Sequence, residues 1–345
     1  MIQASRRPST IRIYEATWSA FSRWCLNHHL EASSATIPQV LEFLQDGLDK
    51  GLAPNTLRRQ VAALSTILSS DTQLLISRHP QVKGFLKGES NLCPPPIHRY
   101  PTWDLTVVLQ ALTVPPFEPL RMVGLRHLTL KAAFLVTITS ARRISELAAL
   151  SIRGDLCIFH PDRVILRLDP AFIPKINTVF HRAQEMILPD FCPQPRHQRE
   201  VTWHKLDVRR AVRIYIKRTA PFRKSEALFV SFQPASMGKK VTSSTIGRWL
   251  RVSIKMSYET QARPIPSRIT AHSTRSAATS AAWATQAPIE EICCAAMWSG
   301  PFPFIRNYRL DTFASAEPSF GRRVLQRVVA SNVAPDISSS LPTST

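Results

Sequence analysis

Apolar residues in the first quarter of the chain recur at helical spacing. Ile13, Ala16, Trp18, Phe21 and Trp24 follow Ser9, a residue type that caps helix starts. Thr36-Ile37-Pro38 opens a second helix with Val40, Leu41, Phe43, Leu44 and Leu48 as its apolar positions, and Gly51 closes it. Pro54-Asn55 starts a third. There Leu57, Val61, Leu64 and Leu68 form one stripe, while Arg58 and Arg59 lie off it. A short fourth helix fits Gln81 to Leu86. The pattern therefore predicts a small all-helical domain over residues 9–88 with a basic face, preceded by a loose basic segment, 1–8.

After Lys87 the periodicity stops. The run GESNLCPPPIHRYPT is rich in proline, which removes backbone donors and disfavours helix in the residue before it, so 89–102 reads as an extended linker. A second domain spans 103–330. Helices are expected at 103–112 and 124–138 and from 144, then β-rich runs at 163–168 and 185–188, then helices at 204–218 and 242–257. Between the β-rich runs, DPAFIPKINTVFHRAQ reads as a long hairpin connection holding Lys175 and Arg182. Pro264 and Pro266 keep their stretch out of helix, and Ala277, Ala278, Ala281 and Ala282 propagate the next one. Pro288 ends that helix and starts another, whose N-terminus Glu290 and Glu291 suit. Ser299-Gly300-Pro301 stops this helix, placing Trp298 at its end and Phe304 and Tyr308 as i, i+4 neighbours in a short element beyond. Residues 331–345, ending SSSLPTST, read as disordered. The fold class expected is mainly α with a small β-sheet or hairpin.

Charge narrows the partner. Lys plus Arg number 44 against 24 Asp plus Glu, a net charge of +20 in 345 residues. The excess is rich in arginine, the better fork for phosphate oxygens, and points to a polyanion, most simply nucleic acid. The longest apolar run is too short and broken to span a membrane, so no membrane partner is expected. Arg6 and Arg7 have no apolar stretch behind them, which argues against secretion. The six cysteines show no CxxC pair, and Cys192, His197 and His204 match no common zinc spacing, so neither metal nor cofactor is expected. Cys293 and Cys294 read as small core residues of a helix.

The candidate chemistry lies between His272 and Tyr308. His272 and Arg275, at i and i+3, share a helical face; Trp298 and Tyr308 follow at the end of later elements. A hydroxyl, a histidine and arginines in a basic protein suit attack on a phosphodiester. Each residue also has a plain structural role: a capping histidine, an ion-paired arginine, a core tryptophan, a tyrosine packed on Phe304.

A second segment joins them. TSARRISELAAL, residues 139–150, resembles the arginine motif of the tyrosine recombinase (phage-integrase) superfamily, written TGLRISEL. Aligned on ISEL, the catalytic-type arginine is Arg143, preceded by Arg142, and Glu146 matches the family's acidic residue. HSTR resembles the family's HxxR, giving His272 and Arg275. Trp298 falls at its His or Trp position, Tyr308 at its nucleophile, and Lys175 where the hairpin lysine lies, with Arg182 as a competitor for that place. The block with TLRRQVAAL looks like the family's core-binding domain. HSTRSAATSAAW and WSGPFPFIRNYRLD are most similar to recombinases of DIRS-like and Ngaro-like retrotransposons.

The resemblance implies an all-helical core-binding domain followed by an α+β catalytic domain. It implies a site-specific DNA recombinase or integrase, forming a 3′-phosphotyrosyl intermediate and serving a mobile element. Arg143, Lys175, His272, Arg275, Trp298 and Tyr308 would be catalytic, and Arg58, Arg59 and Arg142 DNA-binding. The partners would be double-stranded DNA and three further copies, a homo-tetramer on two DNA sites. Localisation would be nuclear in a eukaryote and cytoplasmic otherwise. Residues 312–330, with Phe313, Phe320, Val324, Leu325 and Val328, would be lent to a neighbour or pack on their own domain. The sequence departs from the pattern at Met297, where the family has glycine, and at Ser276, where a second histidine often follows HxxR. A catalytically inactive DNA-binding derivative and a type IB topoisomerase are the alternatives.

Overall fold

The computed structural model describes residues 7–68, 76–94, 102–176 and 178–308. The chain divides into two compact units, Met1–Ile97 and His98–Thr345. The segment 312–330, the tail 331–345 and residues 95–101 of the expected linker lie outside the described residues.

The first unit holds α1 (Pro8–Asn27), α2 (Ile37–Asp49), α3 (Pro54–Leu64) and α4 (Pro80–Leu92). Each has proline in its first turn, where the missing N–H has no intrahelical partner to lose. The first helix thus begins on Pro8, with Arg7 rather than Ser9 at the N-cap. Phe21, Trp24, Val40, Phe43, Leu44, Leu57, Val61 and Leu64 interlock as one core, while Ile13 stays exposed. Trp24 Nε1 donates to Asp46 at 2.7 Å, satisfying the polar tip of a largely buried ring.

The fourth helix runs further than its expected end and takes in residues assigned to the linker. Gly88 does not stop it, because Glu89 is buried against Arg58 at 3.5 Å and Ser90 also bonds Arg58. Pro94 is the first residue there that cannot continue a helix.

The second unit is built around α6 (Leu125–Ser140), in which every residue from Leu128 to Thr137 is buried. A helix apolar on all sides needs neighbours all round. They are α10 (Val208–Thr219), α11 (Ser243–Thr260) and α12 (Ser273–Ala284), with α5 (Leu105–Ala111) against α11. Two ionisable groups interrupt this core. Lys131 Nζ bonds Glu118 Oε1 at 2.6 Å, and Arg210 reaches the same oxygen at 3.2 Å.

After α7 (Ile144–Leu147), a single turn, the chain forms an antiparallel sheet ordered β1-β2-β3: Cys157–Phe159, Arg163–Leu166 and Met186–Pro189. Val164 pairs with Leu188 and Leu166 with Met186, so these four face the core, while Ile187 is exposed. The first strand was not expected; three residues are too few to show alternation. The β2–β3 connection carries its own helix, α8 (Val179–Ala183). The helix expected at 204–218 is two, α9 (Gln198–His204) and α10, because the buried Asp207 caps the second by accepting from Arg210 N at 2.7 Å.

The last elements among the described residues are α13 (Ile289–Ala295) and a π-helical turn, Phe304–Tyr308. The thirteenth helix ends three residues before Trp298. Met297 takes φ +51°, its N–H bonds Cys294 O at 3.1 Å, and Trp298 N bonds Cys293 O at 2.8 Å. This is a Schellman ending. Cys293 is buried as expected, but Cys294 is exposed. Among the described residues no helix is long and apolar enough to cross a membrane.

Candidate active site

Three sequence-distant pieces meet at the N-terminal end of α12. The first is the turn between α6 and α7. Ala141 closes α6 in the left-handed region at φ +50°, which turns the chain and delivers Arg142 and Arg143 in succession. Ala141 stands where TGLRISEL has glycine, and Met297 stands at the other glycine position. Both adopt the conformation glycine favours, at roughly 1–2 kcal/mol each.

The two arginines have different fates. Arg143 Nη1 pairs with Glu146 Oε1 at 2.9 Å, and Arg143 N donates to the same carboxylate at 3.3 Å. Glu146 is buried and so fixes a guanidinium that remains partly open to solvent. Arg142 was expected among the DNA-binding residues. It is only 5% exposed, and its Nη2 donates to Glu185 O at 2.9 Å, tying the arginine turn to the start of β3. Burial, the main cause, lowers its pKa. Of the other two expected DNA contacts, Arg59 is exposed and Arg58 is held by α4.

The second piece is α12. His272 is its N-cap residue and Arg275 lies one turn on. Trp103 Nε1 donates to Ser273 Oγ at 2.8 Å, and Ser273 donates to Thr270 O at 2.6 Å, which fixes this helix start. Arg275 is 1% exposed. One guanidinium nitrogen donates to Ala296 O, while Nε and Nη1 are buried with no hydrogen-bond partner among the described residues. Burial first and Arg143 second push its pKa down to about 10, which leaves it cationic at neutral pH.

The third piece is the end of the described chain. Trp298 and Phe304 are buried against α12 and α13. The Arg275 guanidinium lies 4.7 Å from the Trp298 ring and 5.4 Å from the Tyr308 ring, and the two rings are 4.8 Å apart. The Tyr308 hydroxyl is 2.8 Å from His272 Nε2. The His272 pKa is lowered, chiefly by the crowding of protein round the ring although one edge meets solvent, then by Arg275, Arg143 and Lys175. The ring is therefore neutral at pH 7, and its Nε2 lone pair can take the tyrosyl proton.

Lys175 is exposed on the β2–β3 connection, and its charge acts on His272. Arg182 instead lines a cleft of about 350 Å³ with Leu156, Arg167 and Phe172. Cys192 and His204 meet through the cysteine carbonyl, which lies 2.8 Å from the His204 Nδ1.

Arg143, His272, Arg275, Trp298 and Tyr308 thus form one site, in which the buried Glu146 is the acidic partner. Nothing in the residue pattern marks Ser280, which donates to Tyr308 O at 3.0 Å, or the Ala296 carbonyl. Ser280 lies in a run of small residues that reads only as helix packing.

The fold is that of the tyrosine recombinases. A lambda integrase tetramer bound to a Holliday junction superposes with TM-score 0.53 at 11% identity, over 90% of this chain and 75% of that one. The Tn1549 transposon integrase, in complex with transposon right end DNA, gives 0.51 at 15% identity, over 86% of each chain. XerH site-specific recombinase, bound to a palindromic difH substrate, gives 0.52 at 10% identity over 86% of this chain and 72% of that one. No family profile matches the sequence. No curated protein matches it either.

Proposed function

We propose that the chain is a site-specific DNA recombinase or integrase that cuts and rejoins DNA through a phosphotyrosine at Tyr308. The observation that carries this is Arg275: a cation buried to 1% exposure, with two N–H-bearing nitrogens that have no hydrogen-bond partner among the described residues, beside a tyrosine whose hydroxyl rests on His272. Burying a charge without its hydrogen bonds is costly, and a phosphate oxygen supplies what is missing.

The residues divide the work as follows. Tyr308 Oη attacks the phosphorus while its proton passes to His272 Nε2. Arg275 and Arg143 hold the non-bridging oxygens as charge builds on them. Lys175 gives its proton to the leaving 5′ oxygen. The products are a 3′-phosphotyrosyl bond and a 5′-hydroxyl. A 5′-hydroxyl from another strand reverses the step on a new partner, so the phosphoester energy is kept. Trp298 supports both the nucleophile and the guanidinium through ring contacts.

The net charge of +20 supports double-stranded DNA as the partner. The neighbours in fold include a lambda integrase tetramer, which supports assembly as a homo-tetramer on two sites. The likeness of HSTRSAATSAAW and WSGPFPFIRNYRLD to recombinases of DIRS-like and Ngaro-like elements supports a role in mobile-element integration. The division into a core-binding domain at 9–88 and a catalytic domain at 103–330 belongs to the same reading.

The test begins with selection of bound duplexes from a random-sequence pool and sequencing of the survivors. Selected duplexes, nicked beside the bound phosphate, trap a covalent adduct if the reading holds. Wild type should form it and Tyr308→Phe should not. Specific binding without an adduct would instead identify a DNA-binding derivative, and relaxation of supercoiled DNA lacking the selected site would identify a topoisomerase.

A further inference from the structure

We propose that Ser280 is a positioning residue for the nucleophile, and this rests on Tyr308 being that nucleophile. The Ser280 hydroxyl donates to the Tyr308 carbonyl at 3.0 Å and is 1% exposed. The same helix presents His272 to the tyrosyl hydroxyl at 2.8 Å. One rigid element therefore holds Tyr308 at both ends, backbone and reacting oxygen.

The need for this second hold follows from the local backbone. Phe304–Tyr308 is a single π-helical turn, and the carbonyls at the end of such a turn have no partner within it. Phe304, fully buried, anchors the start of the turn between Trp283 and Trp298. At the far end the Tyr308 side chain is held by His272 and by the Trp298 ring. A hydroxyl from α12 at the Tyr308 carbonyl adds a hold on the backbone. The residues around it, Ala277, Ala278, Ala281 and Ala282, are small enough to let the turn lie close against the helix. Misplacing a nucleophile by about 1 Å slows attack by up to roughly a hundredfold. The Ser280 bond therefore acts on the rate of attack and not on DNA affinity.

The experiment compares wild type, Ser280→Ala and Thr279→Val in the full chain on a nicked duplex. Thr279 is buried on the same helix and its hydroxyl bonds only to carbonyls of that helix, so Thr279→Val reports the cost of losing a buried hydroxyl there. Single-turnover cleavage, DNA affinity and melting temperature are measured for each. Cleavage is measured again on a duplex whose scissile 5′ oxygen is replaced by sulfur, a leaving group that needs no proton.

Ser280→Ala should slow cleavage roughly tenfold or more on both duplexes, with unchanged affinity and with melting lowered no further than in Thr279→Val. Thr279→Val should cleave at the wild-type rate. Wild-type cleavage by Ser280→Ala, an equal slowing in Thr279→Val, or recovery on the sulfur duplex would each overturn the proposal. Should Ser280→Ala melt below the assay temperature, Ser280→Cys, nearest in size and a weak donor, carries the same expectations. If wild type forms no adduct on either duplex, the assignment of Tyr308 as nucleophile fails, separately from the role of Ser280.

Discussion

Replacing Arg275 by methionine should abolish cleavage while leaving the protein almost as stable as before. The guanidinium is 1% exposed and its pKa is pushed down from the ordinary arginine range to about 10. A base whose folded pKa lies below its unfolded value is disfavoured in its charged form, and below the folded pKa that cost is fully present. At pH 7 it amounts to roughly 3 kcal/mol, taking about 1.4 kcal/mol per pKa unit. Methionine removes the charge and fills similar volume. Against that, the ring contacts of the guanidinium are lost, about 1 kcal/mol each. The Ala296 carbonyl loses its donor, about 1–3 kcal/mol more. The opposing terms nearly cancel, so the melting temperature should move by less than about 5 °C for a unit of this size. Truncating a buried phenylalanine of the same unit, such as Phe134→Ala, costs about 3–5 kcal/mol and serves as the scale. Loss of the oxyanion donor should slow adduct formation by at least a hundred- to a thousandfold. Thermal unfolding and adduct formation on a nicked duplex check both halves. A fall in melting temperature like that of Phe134→Ala would show Arg275 to be a satisfied structural residue, and the argument from its unpaired nitrogens would be wrong.

Three further outcomes follow from other parts of the molecule. Because crowding and three neighbouring cations hold His272 below its usual pKa of 6.5, cleavage should stay level as pH falls from 8 to 6.5 and decline only below that; a decline centred above pH 6.5 in a single-turnover pH profile would contradict the neutral-histidine role. Glu118→Gln strips the carboxylate shared by Lys131 and Arg210, whose burial already lowers the Lys131 pKa to about 8. It should cost roughly 3–5 kcal/mol in denaturant unfolding, and an unchanged midpoint would show the buried ion pair to be dispensable. Gly238→Ala would put a methyl carbon 1.9 Å from Phe222 O at a residue with φ +77°. It should lower the melting temperature sharply while the cleavage rate per folded molecule is retained, and normal melting would mean that the backbone there yields.

The sequence carried the helical first unit because single stripes such as Leu57, Val61 and Leu64 face one core and proline marks each start. It placed Arg143 beside Glu146 and His272 beside Arg275, because spacing within one helical turn is fixed. It missed what depends on the third dimension. Arg142 and Arg143 are adjacent and identical in type; only the left-handed turn at Ala141 buries one on Glu185 O and leaves the other with Glu146. The helix before Trp298 was read to the Gly-Pro stop, yet it ends earlier because Met297 takes a conformation that side chains disfavour, held by Schellman bonds and burial. Strand β1, with three residues, exists only by pairing with β2, and Asp207 breaks a continuous helical pattern because its carboxylate is buried as a cap. Lys175 lies in a segment without periodicity, so spacing could not choose between it and Arg182.

Covalent joining of Tyr308 to DNA can be read out on wild-type protein trapped on a nicked duplex, digested with protease and analysed by mass spectrometry. The expected result is a nucleotide on the peptide containing Tyr308, linked through its 3′-phosphate, with a free 5′-hydroxyl on the released strand. A nucleotide on any other residue, a 5′-phosphate linkage, or an adduct that persists in Tyr308→Phe would contradict it.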